Sequence, residues 1–286
     1  MRIIPTLLGS ALALAATAAP ASAQLAAAKD GRVVYGHHHL TVTSVEAHKT
    51  FWVDTLGGTA ATLGTGAAVK FTNVIVLLRP GAPSGGSKGT SVNHIGFGVP
   101  NLRVVVDRVK AAGFPVVTSA EAPATLTVKD GIAFNPATKD YIAFVMAPDD
   151  VKVELLEVPS QATPVALHHV HYFTQQVDAM KAWYVHMLGA TGGMRGAFQA
   201  ADLPGVNLTF SPSPDPVVAT RGRSFDHVGF EVKDLEAFCK TLEAAGVAFD
   251  RPYAKVPALG IAVAFFTDPF GTYVELTEGL DAAVKR

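Results

Sequence analysis

The sequence predicts an α+β protein of two tandem domains, each built from two similar modules, and three observations support this. A pattern that starts at a histidine occurs four times along the chain. After each histidine, the next residues alternate in character as they do in a half-buried strand. A helical pattern then ends at a glycine, and further alternating runs follow. Each module is therefore predicted to contain a strand, a helix and then more strands.

The first and third modules share one form of the pattern. "HHHLTVTSVEAHKTFWVDTLGG" begins at His37, and "HVHYFTQQVDAMKAWYVHMLGA" begins at His169. An aromatic pair stands 14 and 15 residues after each of these histidines, and Leu-Gly stands 19 and 20 residues after it. The aromatic pairs are Phe51-Trp52 and Trp183-Tyr184, and the Leu-Gly pairs are Leu56-Gly57 and Leu188-Gly189.

The second and fourth modules share another form. "HIGFGVPNLRVVVDRVKAAGF" begins at His94, and "HVGFEVKDLEAFCKTLEAAGV" begins at His227. Each has valine 5 residues and leucine 8 residues after the histidine, and Ala-Ala-Gly ends 19 residues after it. The two forms alternate along the chain, which predicts two domains of two modules each.

Segments rich in proline, glycine and serine separate the modules and are predicted to be turns or linkers. "RPGAPSGGSKG" (79–89) and "SPSPDPVVATRGR" (211–223) lie within the domains, and "PSQATP" (159–164) lies between them. The predicted division is a signal peptide 1–23, a flexible lead 24–32, a first domain 33–158 (modules 33–80 and 90–158), a linker 159–164 and a second domain 165–280 (modules 165–212 and 223–280).

The first 23 residues have the pattern of a cleavable secretory signal. Arg2 precedes an apolar stretch, and Ala21-Ser22-Ala23 is a small-x-small cleavage pattern. The apolar stretch is too short and too interrupted by proline and glycine for a membrane span. We therefore expect cleavage after Ala23 and a periplasmic or secreted protein.

Composition and charge exclude several classes of protein. The net charge is −1, so no basic surplus supports binding to nucleic acid. Cys239 is the single cysteine, which excludes a disulfide within the chain. No stretch after the leader approaches the length of a membrane span. The expected partner is a small-molecule substrate, and the expected state is a monomer or a homodimer.

The repeated modules, with the motifs "H-apolar-x-apolar" and "(F/W)(W/Y)xxxLG" and a single "DPxGxxxEL" at 268–276, resemble those of the vicinal-oxygen-chelate (VOC) superfamily. That superfamily includes glyoxalase I, the fosfomycin- and bleomycin-resistance proteins, methylmalonyl-CoA epimerase and extradiol dioxygenases. The resemblance covers essentially the whole mature chain. It implies two tandem VOC domains, each of two βαβββ modules that form a curved mixed sheet around a metal site.

The resemblance also implies the metal ligands, which come from the first and last strands of the modules. They are His37, His94 and Glu154 in the first domain, and His169, His227 and Glu275 in the second. The remaining ligand position falls near Val76 and Leu208, and neither side chain can bind a metal. Two imidazoles, one carboxylate and open positions are typical of a catalytic metal. This set suits Fe(II), and Zn²⁺, Mn²⁺ or Ni²⁺ are alternatives.

A second histidine lies on the inward face of each first strand. Side chains on a strand alternate between faces, so His39 shares a face with His37, and His171 shares a face with His169. The pKa of histidine suits proton transfer near neutral pH. A general acid–base role and a packing role in the core are both open for His39 and His171.

Three neighbouring residues complete the candidate sites. Tyr273 precedes Glu275 by two residues and should share its inward face, either as a hydroxyl donor to substrate or as a packed aromatic ring. His38 and His168 should point away from the ligands and act as edge or packing residues.

Three functions are consistent with this pattern. The first is an exported metal-dependent enzyme with dioxygenase-like chemistry on a small oxygen-rich or aromatic compound. The second is a glyoxalase- or epimerase-like lyase or isomerase, in which the metal stabilises an enolate without O₂. The third is a protein that binds a small molecule without catalysis, as bleomycin-resistance proteins do.

Overall fold

The computed structural model describes residues 24–27, 31–136 and 139–285. The predicted signal peptide, 1–23, lies outside the described residues, as do residues 28–30 of the predicted lead. No helix in the described part of the chain is long and apolar enough to cross a membrane.

The first and third modules each contain one main helical segment and four strands. The first module consists of β1 (Val33–Val42), α1 (Val45–Lys49) with a π-helical continuation (Thr50–Thr55), β2 (Thr59–Leu63), β3 (Gly66–Phe71) and β4 (Val74–Pro80). The third module consists of β10 (Ala166–Thr174), α4 (Val177–Leu188), β11 (Thr191–Arg195), β12 (Phe198–Leu203) and β13 (Val206–Pro212).

The second and fourth modules follow the same order with small additions. The second module consists of β5 (Val92–Val99), α2 (Leu102–Ala111), α3 (Thr118–Glu121), β6 (Thr127–Lys129), β7 (Ile132–Asn135), β8 (Asp140–Ala147), a 3₁₀ turn (Pro148–Asp150) and β9 (Val151–Glu157). The fourth module consists of β14 (Phe225–Val232), α5 (Leu235–Ala244), β15 (Phe249–Val256), β16 (Ile261–Thr267), β17 (Tyr273–Glu278) and α6 (Leu280–Ala283).

The strands form two curved mixed sheets, and each sheet combines modules from both sides of the linker. The eight-stranded sheet has the order β15-β16-β17-β14-β1-β4-β3-β2 and joins the fourth module to the first. The nine-stranded sheet has the order β11-β12-β13-β10-β5-β9-β8-β7-β6 and joins the third module to the second. The predicted α+β fold with curved mixed sheets is confirmed, but the prediction that consecutive modules share a sheet is wrong. The physical reason is that β1 pairs antiparallel with β14, and β5 pairs antiparallel with β10.

The predicted helix ends are confirmed at glycines with a left-handed backbone. Gly189 follows α4 with φ +71°, and Gly113 follows α2 with φ +80°. An L-residue with a side chain rarely adopts this conformation, so glycine ends a helix here at little cost. Asn101 caps the N-terminus of α2, because its side chain accepts a hydrogen bond from the backbone N–H of Val104.

Each sheet has a back face that packs against the helices and against the other sheet in one large core. Phe97 of the nine-stranded sheet contacts Phe71 of the eight-stranded sheet, with ring centroids 5.1 Å apart. His38 also lies in this core, where its Nδ1 is 2.7 Å from the hydroxyl of Tyr35. The predicted packing role of His38 is thus confirmed. The front faces, which carry the other histidines of the first strands, remain for the candidate sites.

The strand order predicts that the two halves of the chain cannot fold independently. When residues 24–158 and 165–286 are produced separately, each first strand should lack one of the two strands that pair with it. We expect neither fragment to be a folded monomer, and we expect co-produced fragments to purify as a one-to-one complex. Light scattering after size-exclusion chromatography measures this, and a folded monomer of residues 24–158 alone would contradict it.

Candidate metal centres

Three imidazoles and one carboxylate meet on the front face of the eight-stranded sheet. We call this group, His37, His39, His227 and Glu275, the eight-strand centre. Oε2 of Glu275 lies 2.9 Å from Nε2 of His37 and 2.8 Å from Nε2 of His227. Nδ1 of His39 lies farther away, at 4.0 Å from the same oxygen.

An equivalent group lies on the front face of the nine-stranded sheet. We call this group, His94, Glu154, His169 and His171, the nine-strand centre. Oε2 of Glu154 lies 2.9 Å from Nε2 of His94 and 3.1 Å from Nε2 of His169. Nδ1 of His171 lies 3.1 Å from Nε2 of His94. All four side chains are buried.

The predicted grouping of the ligands is wrong, although the predicted residues do converge. The resemblance implied that the histidine of the first module would join the histidine and glutamate of the second. The structure combines His37 with His227 and Glu275, and it combines His169 with His94 and Glu154. The cause is the antiparallel pairing of β1 with β14 and of β10 with β5, because each pairing brings two first strands together at the middle of a sheet.

Two glycines make room for the imidazoles at the middle of each sheet. Gly229 is the neighbour of His37 across the β1–β14 pair, and a Cβ atom added to it would lie 2.0 Å from Cε1 of His37. Gly96 is the neighbour of His169, and a Cβ atom there would lie 2.1 Å from Cε1 of His169. Each imidazole ring therefore occupies the space that the Cβ atom of any residue other than glycine would need at position 229 or 96.

The distances in both centres fit a divalent metal ion. Ligand atoms about 2.1 Å from an ion and at right angles around it lie about 3 Å apart, which is the spacing of the imidazole nitrogens from the carboxylate oxygen here. In the nine-strand centre, Nε2 of His169 is buried and has no hydrogen-bond partner, although it lies 3.1 Å from Glu154. A buried nitrogen without a partner costs free energy, and an ion among these atoms would remove that cost.

The other ring nitrogen of three histidines has its own partner, which leaves Nε2 directed at the centre. The partners are Asp226 for His227 at 2.6 Å, Asn93 for His94 at 2.9 Å and His168 for His169 at 3.0 Å. When Nδ1–H donates to such a partner, Nε2 carries the lone pair that a metal needs. These contacts are typical of the groups that orient metal-binding imidazoles.

The prediction for His168 is wrong because the strand is irregular at this point. Strict alternation would turn His168 away from His169. A β-bulge lies between Leu167 and His169, and it leaves His168 without a partner residue in β5. The ring of His168 therefore lies beside that of His169, with centroids 5.2 Å apart.

Burial and ion pairing shift the protonation equilibria of both centres. Burial alone would raise the pKa of Glu275, but His37 and His227 lower it below its ordinary value. The same competition holds the pKa of Glu154 well below its ordinary value. Burial lowers the pKa of His169 to about 3. The carboxylates are therefore charged and His169 is neutral near pH 7, which are the forms that bind metals.

The fourth ligand position differs by one residue from the prediction. Val76 pairs with His38 and therefore points to the back face, as Leu208 does in the nine-stranded sheet. The front-face positions belong to Leu77 and Thr209. Because side chains alternate along a strand, an error of one residue in register moves a side chain to the other face. Leu77 cannot bind a metal, and Thr209 offers a neutral hydroxyl.

The structure brings the three predicted catalytic candidates to the centres in different ways. His171 and His39 each direct Nδ1 at a centre, and burial lowers the pKa of both well below the ordinary value. Tyr273 packs with its ring 5.6 Å from that of Phe265 and 5.4 Å from that of His227. This arrangement favours the packed aromatic ring over the hydroxyl donor for Tyr273. The catalytic roles of His39 and His171 stay predictions.

A cavity of about 370 Å³ opens directly above the nine-strand centre. Its walls include aromatic rings, two cations and a hydroxyl, from Phe144, Phe173, Phe198, Lys152, Arg195 and Ser211. Cavities of this size and mixed lining are typical of small-molecule sites. Oγ of Ser211 lies 2.8 Å from Nε2 of His171.

Sequence reasoning missed two of the polar residues at this cavity. Nε of Arg195 donates a hydrogen bond to Oγ1 of Thr209, so the guanidinium is fixed beside the opening. Arg195 and Ser211 belong to no motif that repeats in the first module, where Leu63 and Arg79 occupy the corresponding strand positions. A comparison of the two modules could have found Arg195 and Ser211, because different residues at corresponding positions indicate that the two sites differ.

His37 leaves no room for a side chain at Gly229, so one added methyl group should have a clear effect. Gly229→Ala should displace His37, lower the free energy of unfolding by about 1–3 kcal/mol and remove one metal ion per chain. Gly193→Ala is the matched control, because no atom lies within 4 Å of its added Cβ. Denaturant unfolding and metal analysis measure the effects. Unchanged stability and metal content in Gly229→Ala would contradict this account.

Residues 166–276 match the model of the Glyoxalase/Bleomycin resistance protein/Dioxygenase superfamily. No curated protein matches the sequence.

Solved structures share the fold over most of the chain. The crystal structure of glyoxalase I from Zea mays has a TM-score of 0.67 at 18% identity, over 87% of this chain and 94% of that one. A "putative dioxygenase" from Bacillus subtilis subsp. subtilis str. 168 has a TM-score of 0.62 at 14% identity, over 87% of this chain and 86% of that one. At such identities, the likeness shows the fold alone. By sequence, residues 166–276 therefore match the Glyoxalase/Bleomycin resistance protein/Dioxygenase superfamily, and most of the chain shares the fold of glyoxalase I from Zea mays.

Proposed function

We propose that the protein is a metal-dependent enzyme with dioxygenase-like chemistry on a small oxygen-bearing or aromatic compound. The observation that carries this proposal is the convergence of two imidazole nitrogens and one carboxylate oxygen at the floor of the cavity above the nine-strand centre. Members of the superfamily are mostly metal-dependent enzymes, and a cavity beside a set of metal ligands places substrate within reach of the ion.

The proposed metal ligands of the nine-strand centre are His94, His169 and Glu154. Three protein ligands leave positions open on an ion, as in catalytic sites and unlike closed structural ones. A divalent ion there would supply Lewis acidity toward substrate oxygens, and Fe(II) would add the redox chemistry that a dioxygenase needs. Asn93 and His168 would hold the two imidazoles in the productive orientation through their Nδ1 atoms.

We assign the transfer of a proton to His171. Ser211 can accept a hydrogen bond from Nε2–H of His171, which leaves the lone pair of Nδ1 on the side of the centre. Burial keeps the pKa of His171 well below its ordinary value, so the ring is neutral near pH 7 and able to accept a proton. The same nitrogen could instead become a further metal ligand, and the experiment below separates the two roles.

The walls of the cavity support a flat or oxygen-rich substrate. The rings of Phe144, Phe173 and Phe198 offer apolar surfaces against which an aromatic ring can pack. Arg195 lines the same cavity and makes no ion pair with a carboxylate among the described residues. Its guanidinium can therefore bind an anionic oxygen of the substrate. Lys152 is less available, because Glu121 lies 2.8 Å from its Nζ.

Two alternatives use the same site. A glyoxalase- or epimerase-like lyase or isomerase would need the metal and His171 but no O₂. A binding protein without catalysis would need the cavity but neither the ion nor His171. Oxygen dependence separates the first alternative from the main proposal, and the effect of the ligand substitutions separates the second.

The test is a screen of metal-loaded protein against small catechols, hydroxy acids and keto acids. We expect turnover with Fe(II) that consumes O₂. Glu154→Ala should lose the metal ion of this centre and its activity, because one charged ligand is removed. His171→Ala should keep the ion but lose about 10²–10⁴-fold in kcat, the usual loss when a proton-transferring group is removed.

The outcomes of this screen distinguish the proposals. Val104→Ala is the control, since Val104 is exposed on α2 and lies outside both centres. Turnover that continues without O₂ and with Zn²⁺ or Ni²⁺ favours the lyase or isomerase. Loss of the ion in His171→Ala makes His171 a ligand. Full ligand binding by metal-free protein, with no turnover in any condition, contradicts the enzymatic proposal.

We also propose that the protein is exported to the periplasm or secreted, on the pattern of residues 1–23. Expression of the full chain in a Gram-negative host should yield a mature protein that begins at Gln24 and is released with the periplasmic fraction. Mass spectrometry of the intact protein measures the start of the chain. An uncleaved chain in the cytosolic fraction would refute export.

A further inference from the structure

We propose that only the nine-strand centre accepts a substrate-sized molecule, and that the eight-strand centre is a structural metal site closed by the chain itself. Residues 279–285, which we call the closing segment, cover the front face of the eight-stranded sheet. This inference rests on the metal binding of the proposed function, and it assigns that function to one centre of the two.

One half of the front face is filled by the apolar side chains of the closing segment. Leu280 and Val284 are buried and belong to a hydrophobic cluster with Ala61, Ala68, Ile75 and Leu77. The strand register places Ile75 beside His37 and Leu77 beside His39, on the face of the metal-binding residues. The closing segment therefore lies where a substrate would approach the eight-strand centre from this side.

The other half of the front face is closed by contacts between strand ends. A second cluster contains Ile261, Val263, Phe265 and Tyr273, with Leu63, Leu259 and Ala283 packed against it. Leu63 ends β2 of the first module, and Leu259 lies between β15 and β16 of the fourth module. Ala283 belongs to the closing segment, so the segment also contacts this second half.

Polar contacts hold the closing segment in place at both ends. Oε1 of Glu231 accepts hydrogen bonds from the backbone N–H groups of Gly279 and Leu280, at 2.6 and 3.1 Å. Nζ of Lys70 lies 2.7 Å from Oδ1 of Asp281. The backbone of Lys285 forms a two-way bridge with Thr62 of β2, at 2.8 and 2.9 Å. These contacts fix the segment to both modules of the sheet.

The corresponding face of the nine-stranded sheet has a different chemistry. Polar residues, Asn207 and Thr209, stand where the eight-stranded sheet has Ile75 and Leu77. The chain that leaves β9 is the linker, and Gln161 turns it toward the backbone carbonyl of Gly98. The chain at α3 borders this face through Glu121, Pro123 and Leu126, and the face bears the cavity of about 370 Å³.

The eight-strand centre stays open to solvent on the side of His39. The side chain of His39 is 20% exposed, whereas His37 has no exposure and Glu275 has 9%. An ion that enters past His39 would take Nδ1 of His39 as a fourth protein ligand and would connect His37 of the first module to His227 and Glu275 of the fourth. Such a link between distant parts of the chain is typical of a structural metal.

The test uses Zn²⁺-loaded full chain and nitrocatechol, an aromatic chelator with two neighbouring oxygens whose absorbance changes when it binds a metal. We expect two Zn²⁺ ions but one nitrocatechol per chain. Glu154→Ala should abolish nitrocatechol binding. Glu275→Ala should keep it, while the melting temperature falls because the structural ion is lost.

Four results would overturn the inference: two nitrocatechols per chain, none, fewer than two Zn²⁺ ions, or loss of nitrocatechol binding in Glu275→Ala rather than Glu154→Ala. None of these measurements needs turnover. Two bound nitrocatechols per chain would contradict this inference but not the proposed enzyme function. Two Zn²⁺ ions and one nitrocatechol, with no turnover of any substrate, would support this inference and contradict the proposed enzyme function.

Removal of the closing segment provides a second arm. Deletion of residues 280–286 should open the eight-strand centre and raise nitrocatechol binding to two per chain. If circular dichroism shows that the deletion unfolds the protein, Leu280→Ala replaces it and should give a second, weaker binding event. Leu242→Ala, which empties an equally buried position on α5, is the control and should bind one. A single binding event in both opened variants would contradict the role of the segment.

Discussion

The antiparallel pairing of first strands across the linker is the constraint on which the rest of the structure depends. The β1–β14 pair and the β5–β10 pair lie at the middle of the two sheets. Each pair brings two first-strand histidines together, and the parallel strands β17 and β9 add one glutamate to each group. His37 therefore contacts a carboxylate oxygen of Glu275, which lies 238 positions away along the chain.

This pairing has an electrostatic consequence. Each centre buries a carboxylate among imidazoles, and burial of charge is costly unless the charge is paired. The two histidines that contact each glutamate offset part of this cost, as the lowered pKa values of Glu275 and Glu154 indicate. Nε2 of His169 nevertheless has no hydrogen-bond partner. A divalent ion would pair with the carboxylate and with the imidazole nitrogens of a centre at the same time. We therefore interpret both groups as candidate metal centres.

The same backbone supports two different environments around the centres. The eight-stranded sheet carries apolar residues such as Ile75 and Leu77 on its front face, and they pack with Leu280 and Val284. The nine-stranded sheet carries Thr209 and Arg195 instead, and its front face bears a cavity. The repeated modules thus carry the same candidate metal ligands but different surrounding side chains, so the two centres need not have the same role.

Sequence patterns predicted the local structure of the modules but did not predict which strands pair with each other. The four modules, the helix ends at glycine and all eight residues of the two centres followed from repeats, alternation and the resemblance to the superfamily. The antiparallel partner of β1 could not be predicted from these patterns, because β5 and β14 carry the same pattern and either strand could pair with β1. A register error of one residue misplaced the fourth ligand position at Val76, and a β-bulge that no motif marks changed the position of His168. The closing segment was missed because its contacts with β2 and β4 are distant in sequence.

Anomalous X-ray diffraction from crystals grown with a divalent metal tests the central claim most directly. The account predicts two peaks per chain, each within about 2.2 Å of two imidazole Nε2 atoms and one carboxylate oxygen from strands on opposite sides of the linker. Crystals with no peak at either group, in which the imidazoles instead donate ordinary hydrogen bonds to Glu154 and Glu275, would contradict it.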